Sequence, residues 1–119
     1  MLYWCHMIYK GSCHCSKVQF ELESNLDIIV QCNCSICKRK GIKMNIVEES
    51  KLSIKKGEEL LSVYQFETHK AKHFFCSNCG IYTHHFPRTK PGYVGINIGC
   101  LDGVDSFSTE AKLLEGIKL

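Results

Sequence analysis

Long apolar runs are missing from this 119-residue chain. The longest are a few residues, as in "DIIV" at 27–30, far short of the ~20 that a membrane-spanning helix needs. No secretory leader is legible either. "MLYWCHMIY" has no cationic start, no apolar stretch of sufficient length and no small-residue cleavage site. Charge of one sign is scarce. Fifteen Lys and Arg against twelve Asp and Glu leave a formal +3, too weak a bias to point to nucleic acid. No long amphipathic helix, repeat, linker or low-complexity stretch interrupts the sequence. These absences predict one domain, 1–119, with a modest core, no membrane contact and a cytoplasmic location. The first six residues read as an appendage, and Met7 begins a cleaner pattern that fits a natural start.

Cysteine, by contrast, is abundant, with nine residues, several times the usual share. In a reducing compartment, patterned cysteines point to metal rather than disulfides. An odd count, and partners one or two residues apart that would close small strained rings, argue the same way.

The rest of the chain reads as short strands separated by turns. "KVQFELE" alternates, with Val18, Phe20 and Leu22 on one face. "DIIVQC", "KMNIVEE", "KLSIKKG", "LLSVYQF" and "GYVGINIG" read as further strands, with Leu61, Val63 and Gln65 sharing a face. "KHFFCSNCGIYTHHF" reads as strand, knuckle turn and return strand, and "CSICKRKG" has turn character. From Thr109 onward, Ala111, Leu114 and Ile117 recur near helical spacing and predict a short helix. The expected fold class is mainly β.

Seven of the cysteines divide into clusters. In "CSNCG", Cys76 and Cys79 are spaced to turn their sulfurs toward one zinc ion, and Gly80 suits a left-handed backbone. Backbone amides in such a turn can point at the sulfurs. Cys13 and Cys15 complete the set, because C-x-C on an extended segment places both side chains on one face, and Gly11 permits a close approach. The predicted closed zinc site is Cys13, Cys15, Cys76 and Cys79. "CNCSIC" then offers Cys32, Cys34 and Cys37. Three protein ligands with one open position is how catalytic zinc sites are built, whereas structural sites are closed by four. The alternative is a second structural zinc completed by His14, a later cysteine or a partner chain. Seven thiolates and two zinc ions would together carry −3, cancelling the formal +3.

The remaining chemistry-bearing residues have plainer readings. Cys5 and Cys100 lie outside any motif and read as ordinary residues. His84 and His85 are adjacent on a strand; they either ligate metal or face opposite ways with one exposed. Lys38, Arg39 and Lys40 form a solvated turn, or hold the carboxylates of an anionic substrate beside an open zinc site.

With these residues placed, the chain resembles the glutathione-dependent formaldehyde-activating enzyme family, which includes centromere protein V. The resemblance is carried by "GSCHCSKVQFE", "QCNCSICKRKG", "KHFFCSNCGIYTH" and "INIGCLDG", in family order from Tyr9 to Gly103. It implies several small coiled antiparallel sheets around zinc, a fold shared with zinc-binding chaperones for small GTPases. It implies a structural zinc on Cys13, Cys15, Cys76 and Cys79 and a second, catalytic zinc on Cys32, Cys34 and Cys37. The implied reaction joins glutathione to formaldehyde, giving S-hydroxymethylglutathione, or runs in reverse, as carbon–sulfur lyase chemistry. The implied partner is a small thiol such as glutathione. The alternative function is a non-catalytic zinc-binding module for a protein partner.

Overall fold

Strands β1 (Met7–Ser12) and β2 (Gln19–Ser24) form an antiparallel pair, and β5 (Leu52–Lys56) joins the far side of β2 to complete a three-stranded sheet. The structure is a computed structural model and describes residues 7–66 and 69–114. The alternation read in "KVQFELE" is realised here, with Val18, Phe20 and Leu22 all buried. Gly11 sits opposite Phe20. A Cβ at Gly11 would come within 2.4 Å of that ring, so the side chain's absence lets the ring lie across β1.

The second sheet is larger. It contains β3 (Ile29–Cys32), β4 (Met44–Glu48), β6 (Leu61–Tyr64), β7 (Lys72–Cys76), β8 (Tyr82–Phe86), β9 (Tyr93–Asn97) and β10 (Lys112–Leu114), in the order β10-β3-β4-β9-β8-β7-β6. The main apolar cluster joins Phe20 and Leu22 of the small sheet to Ile29, Val94, Ile96, Ile98 and Leu101. The Ser24 hydroxyl donates to Asn45 Oδ1 at 2.6 Å, and Asn45 Nδ2 donates to the Ile28 carbonyl at 2.9 Å. These bonds satisfy two buried polar side chains where β2 meets β4.

Three details depart from the sequence reading. The segment after Thr109 is not helical where it is described. Residues 112–114 form β10, which pairs in parallel with β3 and makes the large sheet mixed. Leu114 accepts a bond from the Asn33 amide at 3.1 Å, and Lys43 Nζ holds the Ser106 and Thr109 carbonyls. An otherwise unpaired sheet edge thus overrides a weak helical pattern. Ile117 lies outside the described residues, as do Cys5 and the proposed appendage. Second, residues 7–12 form strand β1, where the sequence suggested only a cleaner pattern. Third, "CSICKRKG" contains a one-turn helix, α1 (Cys37–Lys40), closed by Gly41 in a left-handed conformation.

Candidate metal centres

Four thiols gather where the β1–β2 turn meets the turn between β7 and β8. The sulfurs of Cys13, Cys15, Cys76 and Cys79 lie within 4.8 Å of one another. Cys13 and Cys76 are buried against Val18. The knuckle forms as its spacing predicts. Gly80 adopts φ +79°, its amide bonds the Cys76 carbonyl at 2.7 Å, and the Asn78 amide points at Cys76 Sγ at 3.4 Å. The other half differs from expectation. Cys13 and Cys15 lie on a tight turn, not an extended segment. The Ser16 amide bonds the Cys13 carbonyl at 3.2 Å, Ser16 takes φ +66°, and the Val18 amide points at Cys13 Sγ at 3.4 Å. The turn, rather than strand alternation, brings the two sulfurs 3.6 Å apart.

The environments of these thiols are unequal. Burial pushes Cys13 up to about 11. Burial opposes ionisation at Cys79 as well, but hydrogen bonds from the Cys15 and Ile81 backbones and from Cys13 and Cys76 bring it down to about 6. Thiols that share hydrogen bonds with backbone amides are poised to give up protons to a thiophilic cation.

The second cluster is local. Cys32 ends β3, Cys34 lies in the following bend and Cys37 begins α1. Their sulfurs also lie within 4.8 Å of one another, and among the described residues no fourth His, Cys, Asp or Glu joins them. The Cys37 amide points at Cys34 Sγ at 3.4 Å. Burial raises Cys37 and Cys32; at Cys34 burial is outweighed by the Cys37 amide and thiol, which lower it. Val30, Met44, Ile36, Ile42 and Tyr82 pack around the group.

Other expected residues fall elsewhere. His14 is exposed in the first turn and belongs to neither thiol group. Cys100 is buried, and burial, with Cys13 and Cys79 nearby, pushes its thiol up to about 12. His84 and His85 do face opposite ways, but neither is exposed, because β8 is an interior strand covered on both faces. His84 stacks on Phe74 with ring centroids 4.6 Å apart; His85 stacks on His73 at 5.4 Å. Neither belongs to a metal-ligating group among the described residues.

The three cations separate. Lys38 and Arg39 are exposed, whereas Lys40 turns inward. Its Nζ lies 3.4 Å from the centroid of the Tyr82 ring and 3.3 Å from His73 Nδ1. Burial draws the Lys40 ammonium down to about 8, against the opposing pull of Cys37, Cys34 and Cys32. Burial and the neighbouring Lys40 hold His73 down to about 4. Sequence reasoning treated these cations as one run, missed Tyr82 and His73, and did not connect His85 to Lys40. The available signal was the spacing of Lys40, three residues after Cys37, which puts both on one side of a helical turn.

A cleft of about 590 Å³ opens nearby. Its walls include Cys13, Gln31, Gly41, Lys43, Asn97 and Ile42, the last of which also packs against the three-cysteine cluster.

The profile of the glutathione-dependent formaldehyde-activating enzyme family matches residues 8–115, a span that includes both thiol groups. The chain belongs to that family. A Halomonas elongata protein, provisionally named a glutathione-dependent formaldehyde-activating enzyme, is 33% identical over 82 residues, covering 61% of this chain and 52% of its own length. The chain thus spans about half the length of the curated relative it matches. A structural-genomics crystal structure of a Rhodobacter sphaeroides protein superimposes with a TM-score of 0.84 at 40% identity. The match covers 88% of this chain and 99% of that one, so the two share one fold through nearly all of that structure. Among the described residues, no helix is long and apolar enough to cross a membrane.

Proposed function

We propose that this chain is a zinc-dependent enzyme of carbon–sulfur lyase type, acting in the cytoplasm on the adduct of a glutathione-type thiol with formaldehyde. The observation that carries this reading is the three-thiol group of Cys32, Cys34 and Cys37, which no fourth ligand closes among the described residues. Family membership supports the substrate class.

Both donor sets suit zinc, which favours thiolates and tetrahedral sites. Cys13, Cys15, Cys76 and Cys79 would hold a structural ion, and Cys32, Cys34 and Cys37 a working one. Zinc at an open thiolate site supplies a position that acidifies a substrate thiol near neutral pH. The chain's own residues supply the surroundings. Ile36, Ile42 and Tyr82 pack around the buried Cys37, while Cys32 and Cys34 stay half-buried. The cleft past Gln31, Gly41 and Ile42 gives the rest of a tripeptide thiol somewhere to lie, so that its sulfur and the aldehyde meet as held neighbours. The new bond joins sulfur to the carbonyl carbon and yields S-hydroxymethylglutathione; the reverse reaction releases formaldehyde. The architecture of two sheets with thiol centres at their turns also supports kinship with the zinc-binding GTPase chaperones.

The test is zinc content together with exchange of ¹³C-formaldehyde into glutathione, followed by NMR. Two zinc ions per chain, one exchangeable, and exchange faster than the spontaneous reaction are the expected results. One tightly held ion and no acceleration would instead make the chain a non-catalytic zinc module.

A further inference from the structure

We propose that Lys40 is the group that binds the aldehyde oxygen as the carbon–sulfur bond forms, an assignment that rests on the function proposed above. Lys40 closes the same helical turn that Cys37 opens, and its amine points back into the protein while Lys38 and Arg39 face solvent. Tyr82, over whose ring it lies, packs against the three-cysteine cluster. The ammonium therefore stands beside the place where a substrate sulfur and its aldehyde would meet.

Its hydrogen-bond inventory points the same way. A lysine ammonium has three N–H donors and no acceptor. His73 Nδ1 takes one, and the face of Tyr82 lies against the group at 3.4 Å. Among the described residues no carboxylate pairs with Lys40, and none of the three clustered sulfurs accepts a hydrogen bond from it. The ammonium is held by two ring systems, with donor capacity left for an oxygen. Tyr82 and His73 are its positioning residues. Tyr82 Oη lies 3.5 Å from His73 Nδ1, and His73 stacks on buried His85, so the support is rigid.

The step balances without any redox partner. The sulfur electron pair forms the bond to carbon, and the carbonyl π pair moves onto oxygen. Lys40 gives that oxygen a proton, and the proton shed by the incoming thiol restores the ammonium. A fixed cation at a developing alkoxide is worth about 100-fold or more in rate.

The test compares the zinc-loaded chain with Lys40→Met, Lys40→Arg and the exposed control Lys38→Met. Zinc per chain, kcat, KM for glutathione and binding of ¹³C-formate, a one-carbon oxygen probe, are measured for each. Lys40→Met should keep both zinc ions and the KM for glutathione. It should lose about 100-fold in kcat and lose formate binding, with Lys40→Arg recovering part of each and Lys38→Met unchanged. Lys40→Met turning over within about threefold of the parent, or shedding the second zinc, would overturn the assignment; the latter would make Lys40 a counter-charge. If the parent itself turns over no formaldehyde with glutathione, the proposed function falls. Formate then decides alone: binding by the parent and not by Lys40→Met upholds an oxygen site at Lys40, and equal or absent binding refutes it.

Discussion

Cys15 Sγ lies 3.8 Å from Cys76 Sγ although 61 residues separate them in the chain. That contact closes a long loop, whereas Cys32, Cys34 and Cys37 close a very short one. Loop-closure entropy grows with loop length, so the four-thiol centre constrains far more of the chain. Cys76→Ser should therefore abolish the fold. Structural zinc in small sites contributes on the order of 10 kcal/mol, comparable to the whole stability of a small domain. Circular dichroism melts with and without chelator check this, and an unchanged melting temperature would show that the pair is dispensable.

Cys34→Ser should behave differently. Its cluster spans one bend and the first residue of α1, so its loss leaves the distant segments tied. The expected result is most of the thermal stability retained, about one zinc per chain lost, and any formaldehyde exchange abolished. Unfolding as severe as that of Cys79→Ser would make the cluster structural and remove the main support for an enzyme.

The adjacent histidines of β8 predict an acid-sensitive fold. Burial lowers His84 from 6.5 to about 4 and, with Lys40 and the neighbouring histidines, lowers His85 to about 3. The unfolded chain binds these protons near 6.5 and the folded chain does not. The stabilisation is thus whole above pH 6.5 and is lost as pH falls through about 4 and then 3. In that window each ring removes up to about 1.4 kcal/mol per pH unit. Urea melts of the parent and His84→Phe across this range should differ in slope by about one proton. Any loss of bound zinc would affect both proteins alike, so parallel curves would show that His84 is not a buried neutral group.

Asn45 connects the two sheets by accepting from Ser24 and donating to the Ile28 carbonyl. Asn45→Leu would leave the buried Ser24 O–H without its acceptor, at about 1–3 kcal/mol, while the Ser24 oxygen keeps the Leu26 amide and the Ile28 carbonyl keeps the Ile46 amide. The midpoint of urea unfolding should fall accordingly, and Ser24→Ala in the same background should return part of the loss. A double-mutant cycle with no coupling would mean that the bond contributes nothing.

Most of the strands were legible because Phe20 and Leu22, or Val94 and Ile96, mark a buried face by simple alternation. The thiol groups were legible because metal spacing is a local property of turns. The pairing of β10 with β3 was hidden, since an edge partner is chosen by unpaired backbone groups elsewhere in the sheet and Lys112–Leu114 leaves its side chains exposed. His73 and Tyr82 were hidden for a related reason. They meet Lys40 only because β7 and β8 lie side by side, a matter of register that no single segment records.

The unequal spans of the two thiol groups also set an order for biosynthesis. On a chain emerging from its N-terminus, Cys32, Cys34 and Cys37 are complete while Cys13 and Cys15 still await Cys76 and Cys79. The cluster predicted to contribute less to stability would thus be the first able to take a metal ion. The four-thiol centre is completed only after the knuckle between β7 and β8 has been made. Cellular zinc supply would therefore meet a nascent chain whose early thiols are exposed, while the knuckle that would close the four-thiol centre is still to be made.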